Sequence, residues 1–140
     1  MVRLRLDSET LGLSTILERI ARVKVKDCFK WDDNDTVYFI VEFGHLGKAV
    51  GKNAVNVKRI QQELNKKVRI IEYNPDVIRF VKNVIYPFKV ETVIEEDGEI
   101  VIKDQSRKTK SLLIGRDSKN LKLINRAVKR FFSIKEVKVV

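Results

Sequence analysis

One cysteine (Cys28), one histidine (His45) and two prolines are all that 140 residues contain of these types, and each scarcity closes a route. A lone cysteine cannot form an intramolecular disulfide, and with a single histidine beside it there is no Cys/His set for a structural zinc. No apolar run approaches the roughly 20 residues that span a bilayer. The opening MVRLRLDSET lacks the apolar core of a secretory signal. A cytoplasmic protein with no membrane partner, no metal and no cofactor is therefore expected. The carboxylate clusters at Asp32, Asp33 and Asp35 and at Glu95, Glu96 and Asp97 have no accompanying histidine and fall where turns favour such residues, so no enzyme is expected either. Trp31, Tyr38, Phe39 and Phe43 fall in a strand-like region and are expected in the core, Cys28 in a buried strand and His45 in a loop.

Positive charge is abundant, and its placement says more than the net +10. Counting Lys plus Arg against Asp plus Glu gives 7 against 8 over residues 1–43 and 3 against 6 over 73–102. Over 44–72 the balance is 7 against 2, and over 103–135 it is 11 against 2, so these segments carry +5 and +9. Two concentrated basic blocks at a regular separation predict two equivalent footprints for a polyanion.

The blocks are copies of one another. Placing Gly51 on Gly115, an offset of 115 − 51 = 64, brings KAVGKNAVNVKRIQQEL into register with LLIGRDSKNLKLINRAV. Lys52 then matches Arg116, Asn56 matches Asn120, Lys58 matches Lys122 and Ile60 matches Ile124. Such a repeat constrains the fold before any local reading does. Val57, Ile60 and Leu64 in one copy, and Leu121, Ile124 and Val128 in the other, recur at helical spacing beside basic faces. Ahead of each helix come two strand-like runs around an acidic turn, VKVKDCFKW and TVYFIVEF, then KVETVI and EIVIK. After it comes one alternating run, KVRIIEY or EVKVV. A helix opens each set, lined by Leu13, Ile16, Leu17, Ile20 and Ala21 or by Val77, Phe80, Val81 and Val84. Asn74 and Pro75 are expected to cap and start the second of these, and Pro87 to close it. The order helix, strand, strand, helical turn, loop, helix, strand is thus read twice, with domains expected at 1–73 and 74–140.

A glycine opening a basic helix suits phosphate, because the backbone approaches closely and the free amides point at the anion. Two familiar versions fail here. The Walker A spacing lacks its first glycine, position 46 being Leu, and its hydroxyl, since Asn53 follows Lys52; G-x-G-x-x-G never occurs. An aliphatic residue, glycine, basic residue, any residue and small residue between two short helices resembles instead the GxxG loop of KH domains, which clamps backbone nucleotides of single-stranded nucleic acid. The element order resembles the type II KH arrangement, an α+β fold with a small three-stranded sheet packed against helices.

More specific segments, VKDC at 25–28, VEFG and GKAVGKN over 41–53, NVKR at 56–59, KKVRIIEY at 66–73 and FVKN at 80–83, resemble the archaeal NusA-like transcription factors, short two-KH relatives of bacterial NusA. The resemblance covers nearly the whole chain. It implies binding of single-stranded RNA in transcription elongation, pausing, termination or antitermination, with RNA polymerase or its elongation complex as a partner. The longer bacterial relatives carry a polymerase-binding amino-terminal domain and an OB-fold barrel; this chain starts at the first KH unit, so any polymerase contact is expected to use another surface or another protein. The RNA-contacting set it implies is Lys48, Gly51, Lys52, Asn53, Ala54, Asn56, Lys58 and Arg59 in the first unit, and Gly115, Arg116, Asp117, Ser118, Lys119, Asn120 and Lys122 in the second.

Both loops lack the closing glycine, with Ala54 and Ser118 in its place. If the fourth position needs a left-handed backbone, a Cβ there costs roughly 1–2 kcal/mol; if it needs only closeness, Ala and Ser obstruct least. Asp117 sets a carboxylate beside the phosphate path, a repulsion on the order of 3 kcal/mol at about 6 Å and an effective dielectric near 20, before screening. The first unit is therefore expected to be the better loop-based binder. Asn56 and Asn120 are candidates for base contact, with capping or turn roles equally open. Few aromatics lie near the loops, so aromatic stacking is not the expected mode. A ribosomal-RNA or ribosome-assembly role, or a KH scaffold for protein contacts with weak RNA affinity, are the alternatives. No long heptad pattern predicts a coiled-coil dimer, and a monomer is expected.

Overall fold

The computed structural model describes residues 8–31 and 36–140, and the chain divides into two compact units that meet in sequence at Asn74 and Pro75. The acidic turn expected at Asp32 to Asp35 lies outside the described residues.

The first unit runs α1 (Ser8–Ala21), β1 (Val25–Trp31), β2 (Thr36–Val41), α2 (Leu46–Val50), α3 (Val55–Leu64) and β3 (Val68–Glu72). β1 pairs antiparallel with β2, and β2 pairs parallel with β3, which puts β2 in the centre. TVYFIV reads as an unbroken apolar run rather than an alternation, as a strand enclosed on both faces should, and every residue of β2 is buried. One face of the sheet, through Cys28, Val37, Phe39 and Val41, packs on Leu13 and Leu17 of α1, Ala49 of α2 and Ile60 of α3. Cys28 is thus a buried strand residue, as its setting suggested.

The second unit repeats the plan with α4 (Val77–Ile85), β4 (Thr92–Glu96), β5 (Glu99–Lys103), α5 (Arg107–Ile114), α6 (Lys119–Lys129) and β6 (Glu136–Val139). β4 and β5 are antiparallel, β5 and β6 parallel. Its core joins Phe80, Val81 and Val84 of α4 to Ile100 and Ile102 of β5 and to Ala127 and Val128 of α6. Phe80 stacks edge-on against Phe131 at 5.7 Å and obliquely against Phe132 at 5.7 Å, closing the end of α6 over α4. Each unit is therefore a type II KH domain, and the chain holds two in tandem.

Two expectations change. Asn74 does not cap α4; Asp76 does, its carboxylate accepting from the Ile78 N–H at 3.0 Å, with Pro75 two places before the first helical residue. An N-cap acts on the amide two or three places on, and Asn74 lies too far back for that once the helix starts at Val77. The second pre-loop element is also more than a helical turn, since α5 has eight residues where α2 has five. Ser106 is the cause: its hydroxyl accepts from the Thr109 N–H at 3.2 Å and starts the helix three aligned positions earlier.

Phe80→Ala should destabilise the second unit by about 3–5 kcal/mol, because the ring is fully buried and its removal leaves a cavity. Asp76→Ala should cost about 1 kcal/mol through the lost cap. Urea unfolding followed by circular dichroism measures both, and the ratio between them checks the assignment of core and cap.

Candidate nucleic-acid interface

The two glycine loops have one backbone. Gly51 sits at φ 80, ψ 166 and Gly115 at φ 73, ψ 171, a region open essentially to glycine alone. The third and fourth residues of both loops are left-handed: Asn53 (φ 55) and Ala54 (φ 58) in the first, Asp117 (φ 55) and Ser118 (φ 60) in the second. The choice left open by the missing closing glycine is thereby decided. The fourth position does need a left-handed backbone, and Ala54 and Ser118 carry the strain of a Cβ there. Asn53 and Asp117 have a local reason to be what they are, since Asn and Asp visit this conformation most readily among residues with a Cβ.

Closeness matters too, but at the first glycine. A Cβ on Gly51 would lie 2.9 Å from Asn56 Nδ2, and one on Gly115 would lie 2.9 Å from Asn120 Nδ2 and 3.0 Å from the Asn120 backbone nitrogen. These asparagines brace the loops. Asn56 donates its side-chain amide to the Lys48 carbonyl at 3.1 Å, and Asn120 donates to the Leu112 carbonyl at 2.8 Å. Both acceptors lie in the last turn of the preceding helix, where carbonyls lack intrahelical partners. The side-chain N–H groups of Asn56 and Asn120 thus hold the turn itself, and the turn role offered for them in the sequence is the one the geometry displays.

The outer ends of the loop helices are anchored differently. α2 is too short to persist alone, and its start is tied to β3: Glu72 accepts from the Gly44 N–H at 3.0 Å and from the Leu46 N–H at 3.3 Å. His45, the N-cap residue of α2, accepts on Nδ1 from the Lys24 N–H at 3.3 Å, so it lies in the turn but is fastened to the chain before β1. Glu42 accepts from the Phe43 N–H, which holds its carboxyl below the usual range; desolvation opposes this, and Lys26 at 3.7 Å and Lys24 reinforce it. In the second unit the cap itself is local, Asp104 accepting from the Ser106 N–H at 2.8 Å and Ser106 then capping α5, while the other Asp104 oxygen accepts from the Glu91 N–H at 3.2 Å.

Around each loop the cations face outward. Lys48, Lys52, Asn53, Lys58 and Arg59 are exposed in the first unit, and Arg116, Asp117, Asn120 and Lys122 in the second, with Ala54, Ser118 and Lys119 half-buried. Arg59 is paired with Glu63 at 3.8 Å, a surface contact worth only a few tenths of a kcal/mol that a phosphate can displace. The positions flanking the loops trade chemistry under the 64-residue offset: the first unit has Lys48 before its loop and exposed Val55 after it, the second has exposed Leu112 before and Lys119 after.

Some features escaped the sequence. Arg107 and Lys108, both exposed, occupy the extra turn of α5; Ser106 ahead of them was the available signal. Phe43 is not in the core. It follows the end of β2 in a turn closed by Gly44 (φ 84) and is 54% exposed. Phe39 is fully buried and Tyr38 nearly so, as expected. Among the described residues no helix is long and apolar enough to cross a membrane, and no group of three or more metal-ligating side chains gathers.

Ala54→Gly should stabilise the first unit by about 0.5–1 kcal/mol, the relief of left-handed strain being partly offset by the added freedom of the unfolded chain. Gly51→Ala should destabilise it by about 1–3 kcal/mol, and Asn120→Ala should cost the second unit about 1 kcal/mol through the lost brace. Chemical denaturation of the three variants gives the signs directly, and an unfavourable Ala54→Gly would contradict the assigned loop backbone.

No family model matches the chain. The whole chain is 33% identical, over 143 residues, to a probable transcription termination protein NusA of Methanocaldococcus jannaschii, of which it covers 77%. A protein of the same description from Thermoplasma acidophilum is 26% identical over 149 residues, covering 99% of this chain and 97% of that one. The solved crystal structure of APE1850 superposes with a TM-score of 0.75 at 28% identity, over 96% of this chain and 100% of that one. With two KH units over its length and these relatives, the chain belongs to the archaeal NusA-like family of probable transcription termination proteins.

Proposed function

We propose that this chain is a cytoplasmic, non-enzymatic, monomeric transcription factor that grips single-stranded RNA through its two glycine loops and thereby acts on a transcribing RNA polymerase. The observation that carries the reading is the double occurrence of one strained loop, with the same left-handed pair and the same asparagine brace, each opening a basic helix. A fold that needed only a turn could use less costly residues, whereas a rigid glycine turn leading into first-turn amides and the positive end of a helix dipole is what a phosphate backbone requires.

The chemistry assigns roles. Gly51 and Gly115 let the RNA backbone approach, Lys52, Lys58, Arg116, Lys119 and Lys122 meet phosphates, and the exposed apolar flanks Val55 and Leu112 offer surfaces to bases. Arg107 and Lys108 extend the footprint of the second unit. Cations in the first turn of a helix oppose its dipole by roughly 0.3–1 kcal/mol, so their presence there serves something other than the stability of α5. The first loop binds more tightly, because Asp117 faces the phosphate path in the second. The relatives' description as transcription termination proteins supports the process.

Fluorescence anisotropy with an unstructured RNA at several salt concentrations tests this. The full chain should bind with a log–log salt slope of roughly −0.7 per phosphate neutralised. Changing Lys52 and Asn53 together to Asp should weaken binding at least about tenfold, one unit of RT ln 10, while Asp117→Asn, which keeps a residue tolerant of the left-handed backbone, should tighten it. Normal RNA affinity in a folded Lys52→Asp, Asn53→Asp variant would remove the first loop from the interface.

A further inference from the structure

In the second unit, the end of α4 and the turn after it line an open pocket of about 390 Å³, with Lys82, Asn83, Ile85, Tyr86, Phe88 and Lys89 among its lining residues. Its aromatic rings are unusual for this unit. Phe80 is buried and packs against the half-buried Phe131 and Phe132, whereas Tyr86 is 68% and Phe88 38% exposed. The segment carrying them is tied down, with the Tyr86 N–H donating to the Lys82 carbonyl at 3.1 Å and the Phe88 N–H to the Ile85 carbonyl at 3.0 Å. With the backbone fixed here, only side-chain freedom remains to be lost when something stacks on the rings.

Charge selects the occupant. Residues 73–102 carry three cations against six carboxylates, yet Lys82 and Lys89, two of those three cations, both line this cavity, and no carboxylate does. Glu91 lies just beyond, with its N–H donating to Asp104 Oδ2 at 3.2 Å. Two aromatic faces flanked by ammonium groups match an unpaired base with phosphates on either side, since every base has a face to stack and every linkage a charge to neutralise. We propose that the Tyr86–Phe88 corner is a further single-stranded RNA contact, a sequence-tolerant stacking platform that shares no residue with either glycine loop. The proposal rests on the reading of the chain as an RNA binder and adds aromatic stacking, which the loops lack.

The test is anisotropy on the full chain with the same unstructured RNA, comparing wild type with Tyr86→Leu, Phe88→Leu and with Lys82→Gln, Lys89→Gln. Leucine keeps an apolar surface but removes the ring faces. The aromatic variant should bind roughly 5- to 30-fold more weakly with an unchanged salt slope, and the lysine variant should lose about 1.4 from the slope, two phosphates' worth. Wild-type affinity and slope in both variants, with wild type itself binding RNA, would overturn this platform and leave the loops intact. If wild type binds no RNA, the reading of the loops falls and the platform falls with it. Should the aromatic variant melt at a lower temperature than wild type, the lysine variant alone decides, since its side chains are exposed at the surface.

Discussion

A side-chain amide reaching back across eight residues to a helix carbonyl governs the loop edge of each unit. Asn56 and Asn120 each join the last turn of one helix to the first turn of the next, and everything between them follows. With the two ends fixed that close, the chain must reverse in four residues. This puts Gly51 and Gly115 where a Cβ would collide with the brace and forces two left-handed residues in succession. The strain is tolerated because the flanking helices are embedded in their cores through Ala49 and Ile60, or Leu113 and Leu123.

A second pair of amide side chains, five residues further on, acts at the far side of each helix. Gln61 accepts from the Val68 N–H at 3.0 Å, and Asn125, its partner under the 64-residue offset, accepts from the Val137 N–H at 2.8 Å while donating to the Val137 carbonyl at 3.1 Å. An amide side chain thus ties each basic helix to the loop before it and to the strand after it. The helix becomes a rigid bar between sheet and loop, and its cations keep their placement relative to the turn.

Much of this was legible because periodicity and repetition report burial. TVYFIV, EIVIK and the apolar stripes of α1, α4 and α6 lie where their spacing placed them, and the offset between Gly51 and Gly115 carried over to Asn56 and Asn120, whose shared identity hinted at a shared task. What was not legible depends on backbone angles or on single residues at element ends. A pattern of letters does not say whether Ala54 stands in for glycine by conformation or by size. Phe43 looks like a strand residue until the turn at Gly44 is known, and the choice between Asn74 and Asp76 as a cap turns on a shift of two positions. Arg107 and Lys108 were counted as charge but not placed, because the start of α5 hangs on the Ser106 hydroxyl.

The two loops also differ in how far along the chain their supports lie, and that difference bears on the order in which they assemble. The contacts that start α5, from Asp104 through Ser106 to Thr109, span at most three residues, so that helix can form while its sheet is still incomplete. The start of α2 waits for Glu72, more than twenty residues downstream, and loop closure over that distance comes late. The hydrogen bonds that fasten the start of α2 are therefore complete only when β3 is in place beside it.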